Sequence, residues 1–342
     1  MTKKYDAVVY IGRFQPVHDV HIEIINRAAV MAHKVIVIVG SAFQPRTYKN
    51  PFSYVERKLM LSDGIASRVS NTAVITIDPN MDSVYNDQAW TMSIQETVSN
   101  HTDPGDKIAI IGHKKDDSSF YLDMFPQWEF EPVELIEPLN ATNIRDLYFR
   151  KDANMRFIEG VVPARVAIRM ESFMKTEEWE QIIREREFVS KYKQQFSSLP
   201  YPPIFVTSDA VVFQSGHVLM IKRRAEPGKG LWALPGGFVN AATDRSVKDA
   251  MLRELREETG IKVPAPVLAG SIVGNRVFDA IERSARGRTI THAFNIVLPD
   301  GLLPRVKGAD DAEKARWVPF SEVRSDECFE DHYELIQHFL GA

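Results

Sequence analysis

Short runs of β-branched and aliphatic residues recur along the chain, separated by stretches in which apolar positions return every three or four residues. Residues 7–11 read as a buried strand. Ile22, Ile25 and Ala29 mark one side of a helix, and 34–39 read as a second buried strand. That βαβ unit predicts a parallel sheet, with the 12–21 loop at its carboxyl edge, where ligands bind in such folds. Strands are expected again at 74–77, 107–111 and 134–136, and Asn50–Arg57 reads as a turn entering a helix. Ser53 and Glu56 have the spacing of a capping box there. Residues 161–195 are helical by pattern, with Pro163 near the start. Three prolines within 200–203 forbid helix, so 196–203 read as a linker.

Beyond the linker, 204–213 and 217–224 predict a hairpin around Gln214, Ser215 and Gly216. Leu234-Pro-Gly-Gly-Phe-Val leads into a helix that ends at Thr259-Gly260, with Met251, Leu252 and Leu255 facing inward. Residues 277–280 and 289–298 are strand-like, a strand is expected at Trp317-Val-Pro, and 332–340 close the chain as a helix.

Composition narrows the class. The chain has 342 residues, enough for two separate cores, with 44% hydrophobic and 26% charged residues. A formal net charge of −4 gives no basic field for nucleic acid. The single cysteine, Cys328, excludes an internal disulfide and a Cys-rich zinc site. The amino-terminal apolar run is too short for a signal peptide, and none approaches a membrane span. A soluble, cytoplasmic protein that does not engage membranes is the expectation.

Two places carry candidate chemistry. In the first loop, Gly12 lets backbone approach a phosphate. Asp19 can cap the following helix, whose start favours an anion. His18 and His21, three apart, can donate hydrogen bonds to triphosphate oxygens; the plainer alternative is two surface histidines. In the second place, Glu254, Glu257 and Glu258 fall close together on one helical face. Clustered carboxylates repel, and a hard divalent cation with oxygen ligands relieves that; a solvated acidic face is the alternative. Arg276, with Arg286 and Arg288 in the loop between 277–280 and 289–298, could bind a diphosphate or a ribose phosphate; a solvated basic loop is the alternative.

These motifs carry resemblances. Gly12-Arg13-Phe14-Gln15-Pro16-Val17-His18-Asp19-Val20-His21 resembles the Gly-x-Phe-x-Pro-x-His-x-Gly-His signature of the nucleotidylyltransferase superfamily, with Val20 replacing a glycine. Asn140-Ala-Thr142-Asn-Ile-Arg145 resembles its second signature, with Asn140 replacing serine. Asn50-Pro-Phe-Ser-Tyr-Val-Glu-Arg57 is similar to a segment of archaeal-type nicotinamide mononucleotide adenylyltransferases. Leu234–Ile261 resembles the Nudix box, Gly-x5-Glu-x7-Arg-Glu-U-x-Glu-Glu-x-Gly-U, matched at Gly237, Arg253, Glu254, Leu255, Glu257, Glu258, Gly260 and Ile261. The gap before Arg253 is two residues too long, and Thr243 stands where the first glutamate belongs, with Asp244 the nearest acid.

The whole chain looks like the bacterial bifunctional nicotinamide mononucleotide (NMN) adenylyltransferase–ADP-ribose pyrophosphatases. The resemblance implies an α/β chain: a Rossmann-like nucleotidylyltransferase domain with a parallel sheet at 1–195, a linker at 196–203, and an α/β/α Nudix domain with a mixed sheet at 204–342. It implies NAD and pyrophosphate from ATP and NMN, and AMP and ribose 5-phosphate from ADP-ribose. His18, His21 and Arg145 would position the triphosphate, while Gly12, Arg13, Phe14, Arg57, Asp82, Trp90, His113 and Thr142 would line the ATP and NMN sites. Trp90 would stack on nicotinamide, although a core tryptophan would look the same; Thr142 would cap its helix and bind phosphate. Glu254, Glu257 and Glu258 would hold Mg²⁺, with Mn²⁺ as the other candidate. Glu258 would also be catalytic. Arg276, Arg286 and Arg288 would bind ADP-ribose, and Glu313, or else Asp311, would activate water. A homo-oligomer without nucleic-acid partners is expected. Two rivals stay open: another phosphorylated acceptor, such as phosphopantetheine or FMN, and a Nudix half that senses a nucleotide or cleaves a different nucleoside diphosphate.

Overall fold

β1 (Tyr5–Gly12) is buried on both faces, which explains its uninterrupted apolar run. Val8 and Tyr10 join one hydrophobic cluster, while Ala7, Val9 and Ile11 join another. The strand pairs in parallel with β2 (Ala32–Val39) on one side and β4 (Ile108–Gly112) on the other. β3 (Val74–Pro79) and β5 (Glu129–Pro132) complete a five-stranded parallel sheet in the order β3-β2-β1-β4-β5. Its order reverses between β1 and β4, so a crevice opens at their carboxyl ends, where the 12–21 loop and His113 emerge. The computed structural model describes residues 3–341 apart from 70–72, 115–116, 135–139 and 309–311.

Helices α1 (Asp19–Met31), α2 (Tyr54–Arg68), α4 (Ala141–Tyr148) and α5 (Ala164–Phe173) bury Ile22, Ile25, Met60, Leu61, Ile144 and Met170 in the first cluster. α3 (Asp87–Ser99) covers the second with Ile94 and Val98. Ser53 and Glu56 close the capping box that starts α2: the Ser53 N–H donates to Glu56 Oε2 at 2.7 Å.

Among the described residues the last strand of this sheet is β5; Glu134 of the expected 134–136 is outside any strand, and 135–136 lie outside the described residues. The single helix expected over 161–195 is two, α5 and α6 (Glu177–Gln194), because Thr176 interrupts the first and caps the second, its Oγ1 accepting from the Trp179 N–H at 3.3 Å. The chain divides into two compact units between Ile183 and Arg184, inside α6.

In the second unit β6 (Phe205–Gln214) and β7 (His217–Arg223) form the expected hairpin, with Ser215 and Gly216 both left-handed, as a two-residue turn requires. β8 (Trp232–Ala233) pairs with β7, and β9 (Gly236–Phe238) with β6. β10 (Ile272–Phe278), β11 (Thr289–Val297) and β12 (Ala312–Pro319) complete a seven-stranded mixed sheet, whose main path runs β10-β11-β6-β7-β12. Only the β11–β6 pairing along that path is parallel. α7 (Val247–Thr259) buries Met251 and Leu255 against Ala210, Val212 and Phe294. Ser246 caps its start, and left-handed Gly260 its end, at the expected residue. A short α8 (Ala265–Gly270) follows, and α9 (His332–Leu340) buries Leu335 and Ile336.

Candidate active sites

At the carboxyl end of β1, His18 and His21 are brought together: their rings stack with centroids 3.6 Å apart, at the start of α1. His18 rather than Asp19 occupies the cap position, and Asp19 pairs with Arg68 at 2.8 Å. The His18 N–H donates to His21 Nδ1 at 3.2 Å, so Nδ1 of a neutral His21 is the acceptor and Nε2 carries the proton. Burial lowers the His18 imidazole to about 4 and His21 well below its ordinary value, so both rings are neutral near pH 7. His18 Nδ1 is buried and has no partner among the described residues.

Phe14 and Gly12 act beneath this pair. Phe14 is 1% exposed and packs edge-on against His21 at 4.9 Å, so it supports the imidazole from the core instead of lining a ligand surface. A Cβ on Gly12 would lie 2.9 Å from the Phe14 ring, so this glycine makes room for Phe14 rather than for a phosphate. Phe14 itself is left-handed, with φ 53°.

Arg145 lies in α4, 5% exposed, and donates to the Gln15 carbonyl at 2.8 Å and to Thr142 Oγ1 at 3.2 Å. Asn140, not Thr142, caps this helix, its side chain accepting from the Asn143 N–H at 3.0 Å. Thr142 therefore sits in the exposed first turn. Arg57, also 1% exposed, is differently engaged from the expectation. It donates to the carbonyls of Arg13, Gly40, Ser41 and Ser53, tying the loops after β1 and β2 to α2. Burial lowers both arginines, and exposed Arg13 repels each of them, so positive charge is concentrated at this crevice. An anion relieves that repulsion.

Asp82 holds the loop after β2 by accepting from the N–H and hydroxyl of Ser41. Trp90 is half-buried against Tyr121 and Phe125, at 6.2 and 6.0 Å. His113 donates from Nδ1 to the Val133 carbonyl at 2.8 Å, leaving Nε2 for a ligand. Gln15, which the sequence did not mark, exchanges two hydrogen bonds with the Phe52 backbone, at 2.8 and 3.0 Å. It thereby joins the histidine loop to the Asn50–Arg57 segment.

The second site is built on two adjacent glycines. A Cβ on Gly236 would lie 2.3 Å from Asp209 Oδ1, and one on Gly237 would lie 2.6 Å from Glu254 Oε1. Only glycines let these carboxylates approach the start of β9. The Gly236 N–H donates to Glu258 Oε2 at 2.9 Å. Glu258 is 5% exposed; burial raises its carboxyl to about 8, and Glu254 and Asp209 add to the effect. Asp209, buried and bonded by Thr291, is raised by burial as well.

The three box glutamates do not form a ready cage. Arg253 reaches Glu254 at 2.8 Å and exposed Glu257 at 3.0 Å, while Glu258 turns inward. Among the described residues no three acidic, histidine or cysteine side chains are placed to ligate one ion together. The donor chemistry nonetheless fits a hard divalent cation: carboxylate oxygens converge on the start of β9, and burial and mutual repulsion penalise their ionisation. Asp244 is held to Arg253 by two hydrogen bonds. The tight turn 240–244 absorbs the two extra residues, the Asn240 N–H donating to Asp244 at 2.8 Å, and leaves Thr243 exposed.

The basic residues diverge. Arg286 stacks over Phe238 at 4.9 Å and faces Asp209. Arg288 is 3.8 Å from Asp279, and its Nη1 is buried without a partner among the described residues. Arg276 instead donates to His338 Nδ1 at 2.7 Å. Glu313 sits at a bulge within β12, exposed. Asp311 lies outside the described residues. Asp209 and His332, which accepts from the Leu234 N–H at 2.8 Å, were not singled out in the sequence, because a lone acid in a strand and a lone histidine carry no spacing signal.

A family model for NUDIX domains matches residues 204–339, and one described as cytidylyltransferase-like matches 9–93. A nicotinamide/nicotinic acid mononucleotide adenylyltransferase of Acinetobacter baylyi is 34% identical over 57% of this chain and 97% of its own length. An ADP-ribose pyrophosphatase of Methanocaldococcus jannaschii is 30% identical over 46% of this chain and 82% of its own. A solved structure of a bifunctional NMN adenylyltransferase/ADP ribose pyrophosphatase from Francisella tularensis, complexed with AMP and a Mn ion, covers 98% of this chain. That match spans 99% of the solved chain, with TM-score 0.91 and 34% identity. No helix among the described residues is long and apolar enough to cross a membrane.

Proposed function

This chain belongs to the bifunctional NMN adenylyltransferase/ADP-ribose pyrophosphatase family, and from that premise we propose that it both makes NAD and hydrolyses ADP-ribose. In the first unit, an oxygen of the NMN 5′-phosphate attacks the α-phosphorus of Mg-ATP. The bond to pyrophosphate breaks, and no side chain becomes covalently attached. His21 donates from Nε2, and His18, Arg13 and Arg145 line the same crevice. Catalysis is then by orientation and by electrostatic stabilisation of the leaving pyrophosphate. The first-turn N–H groups of α4, at Thr142, add further donors. Trp90 and Asp82 flank the nicotinamide end, and His113 offers Nε2. The observation that carries the reading is the His18 N–H bond to His21 Nδ1, which sets the tautomer in a crevice crowded with arginine. Chromatography of products from Mg-ATP and NMN tests it. NAD and pyrophosphate in equal amounts are expected; no NAD from folded protein would sink it.

In the second unit, water attacks the diphosphate of ADP-ribose, its P–O–P bridge breaks, and AMP and ribose 5-phosphate leave. Glu254, Glu257 and Glu258 would hold a divalent ion, with Mg²⁺ as the proposed ion, which would supply polarisation of the diphosphate and a more acidic water. Arg286 and Arg288 hold the substrate's negative charge. The close approach of Glu254 and Glu258 to Gly237 and Gly236 of β9, with the Gly236 N–H donating to Glu258, carries this half. Glu258→Gln should abolish metal-dependent AMP release and leave NAD synthesis intact; retained hydrolysis would overturn the assignment.

A further inference from the structure

The segment Cys328–His332, which leads into α9 and includes its first residue, touches three parts of the hydrolytic site. The Phe329 N–H donates to the Trp232 carbonyl at 2.7 Å, beside the Trp232–Cys328 bridge. Asp331 receives both arms of Arg283 at 2.9 and 2.8 Å, and both residues are nearly sealed from solvent. His332, 6% exposed, accepts the Leu234 N–H on Nδ1 at 2.8 Å. Leu234 stands two residues before Gly236, whose N–H meets Glu258. A neutral imidazole is needed for that acceptor role, and burial keeps His332 neutral down to about pH 3.

We propose that His332 is a positioning residue of the hydrolytic site: by accepting the Leu234 N–H it fixes the 234–236 turn, so that the Gly236 N–H holds the Glu258 carboxylate in place. The inference rests on the reading of Glu258 as a metal ligand. Partners that orient ligands commonly matter 10–100-fold for metal affinity or activity. The neighbouring Asp331–Arg283 pair anchors the same segment to the arginine loop that carries Arg286 and Arg288, so turn and loop share one brace.

The test compares His332→Asn with His332→Gln in the full-length protein. The Asn amide oxygen falls near the place of Nδ1 and can accept from Leu234, whereas the Gln oxygen falls near Nε2 and cannot. Mn²⁺ binding is read from the loss of the free-ion electron paramagnetic resonance signal, with Glu258→Gln marking the share owed to this site. Thermal unfolding and ADP-ribose kinetics are measured in parallel. The Asn variant should stay within about 3-fold of the parent, while the Gln variant should lose roughly 10–100-fold in Mn²⁺ affinity, with kcat falling more than KM rises. Equal binding by both variants and the parent would overturn the proposal. So would a parallel loss in both variants that tracks a lower unfolding temperature. If the parent binds Mn²⁺ but releases no AMP from ADP-ribose, the hydrolase reading fails while the Mn²⁺ comparison still decides the role of His332.

Discussion

Asp244 grips Arg253 through both carboxylate oxygens, at 2.9 and 2.8 Å, and Arg253 in turn reaches Glu254 and Glu257. The departure from the box spacing is thereby repaired in three dimensions: a tight turn carries Asp244 back to the arginine from a position the motif does not count. The Arg253 hydrogen bonds hold the Asp244 carboxyl at about 2. The pair's contribution is therefore complete above the ordinary carboxylate value and is lost only as pH falls through about 2.

Asp244→Asn should leave Arg253 loosely held between the two glutamates, where it competes with a cation for their oxygens. Hydrolysis should fall about 10–100-fold while NAD synthesis is unchanged. Steady-state assays of both reactions check this, and equal losses in the two would point to misfolding instead.

Gly12→Ala should act on stability first. The new methyl would press on the Phe14 ring at 2.9 Å, and Phe14 has no room to retreat at 1% exposure. Overpacking of this kind costs about 1–3 kcal/mol. Urea unfolding should show the loss. An unchanged midpoint with weakened ATP binding would instead return Gly12 to the phosphate role.

Legibility tracked burial and locality. β1, β2 and β4 lie where apolar runs stand, because these strands sit in the interior of a parallel sheet. β3, at the sheet's edge with no fully buried residue, was legible from its β-branched Val-Ile-Thr-Ile sequence instead. β5 was missed because its sequence, Glu-Phe-Glu-Pro, belongs to an edge strand with little buried surface, while the apolar residues just beyond it attracted the assignment. The end of α7 and the span of α9 follow from local signals, the left-handed glycine and the apolar spacing. The contacts that shape the sites are not local. Leu234 and His332 are 98 residues apart, Gln15 and Arg145 130 apart. Arg57 shows the same limit: its motif placed it at the crevice, but only the fold shows its guanidinium turned onto four carbonyls.

Arg57→Lys should not preserve that brace. A single ammonium cannot reproduce donation from Nε, Nη1 and Nη2 to separate carbonyls. Stranding buried carbonyls should destabilise the first unit by roughly 3 kcal/mol. KM for ATP should rise because Arg13 and Ser41 lose their anchor. Differential scanning calorimetry with kinetics checks both, and a stable variant with only kcat reduced would make Arg57 a ligand contact after all.

The histidine pair should make the first unit more stable as pH rises between about 4 and 6.5. Burial lowers His18 to about 4, so across that window the unfolded chain binds a proton that the folded chain does not. Stability then increases with pH there and is flat above it with respect to this group. The kcat/KM profile for ATP, which reports free-enzyme ionisations, should show no imidazole limb between pH 6 and 8. An inflection near 6.5 that disappears in a His18 variant would contradict the burial argument.

His21→Asn separates the two nitrogens of one ring. The Asn amide oxygen takes the place of Nδ1 and can still accept the His18 N–H, so the start of α1 should keep its geometry. What is lost is the Nε2 proton, the only part of the side chain free to donate to phosphate. If that donor acts mainly in the transition state, kcat should fall about 100-fold or more, with KM for ATP nearly constant and the unfolding temperature unchanged. His21→Ala removes the acceptor as well, and should lower both kcat and stability. Equal kcat in the Asn variant and the parent would show that His21 serves the loop and not the chemistry, leaving His18 and Arg145 to stabilise the pyrophosphate. A large rise in KM with kcat intact would place His21 in ground-state binding.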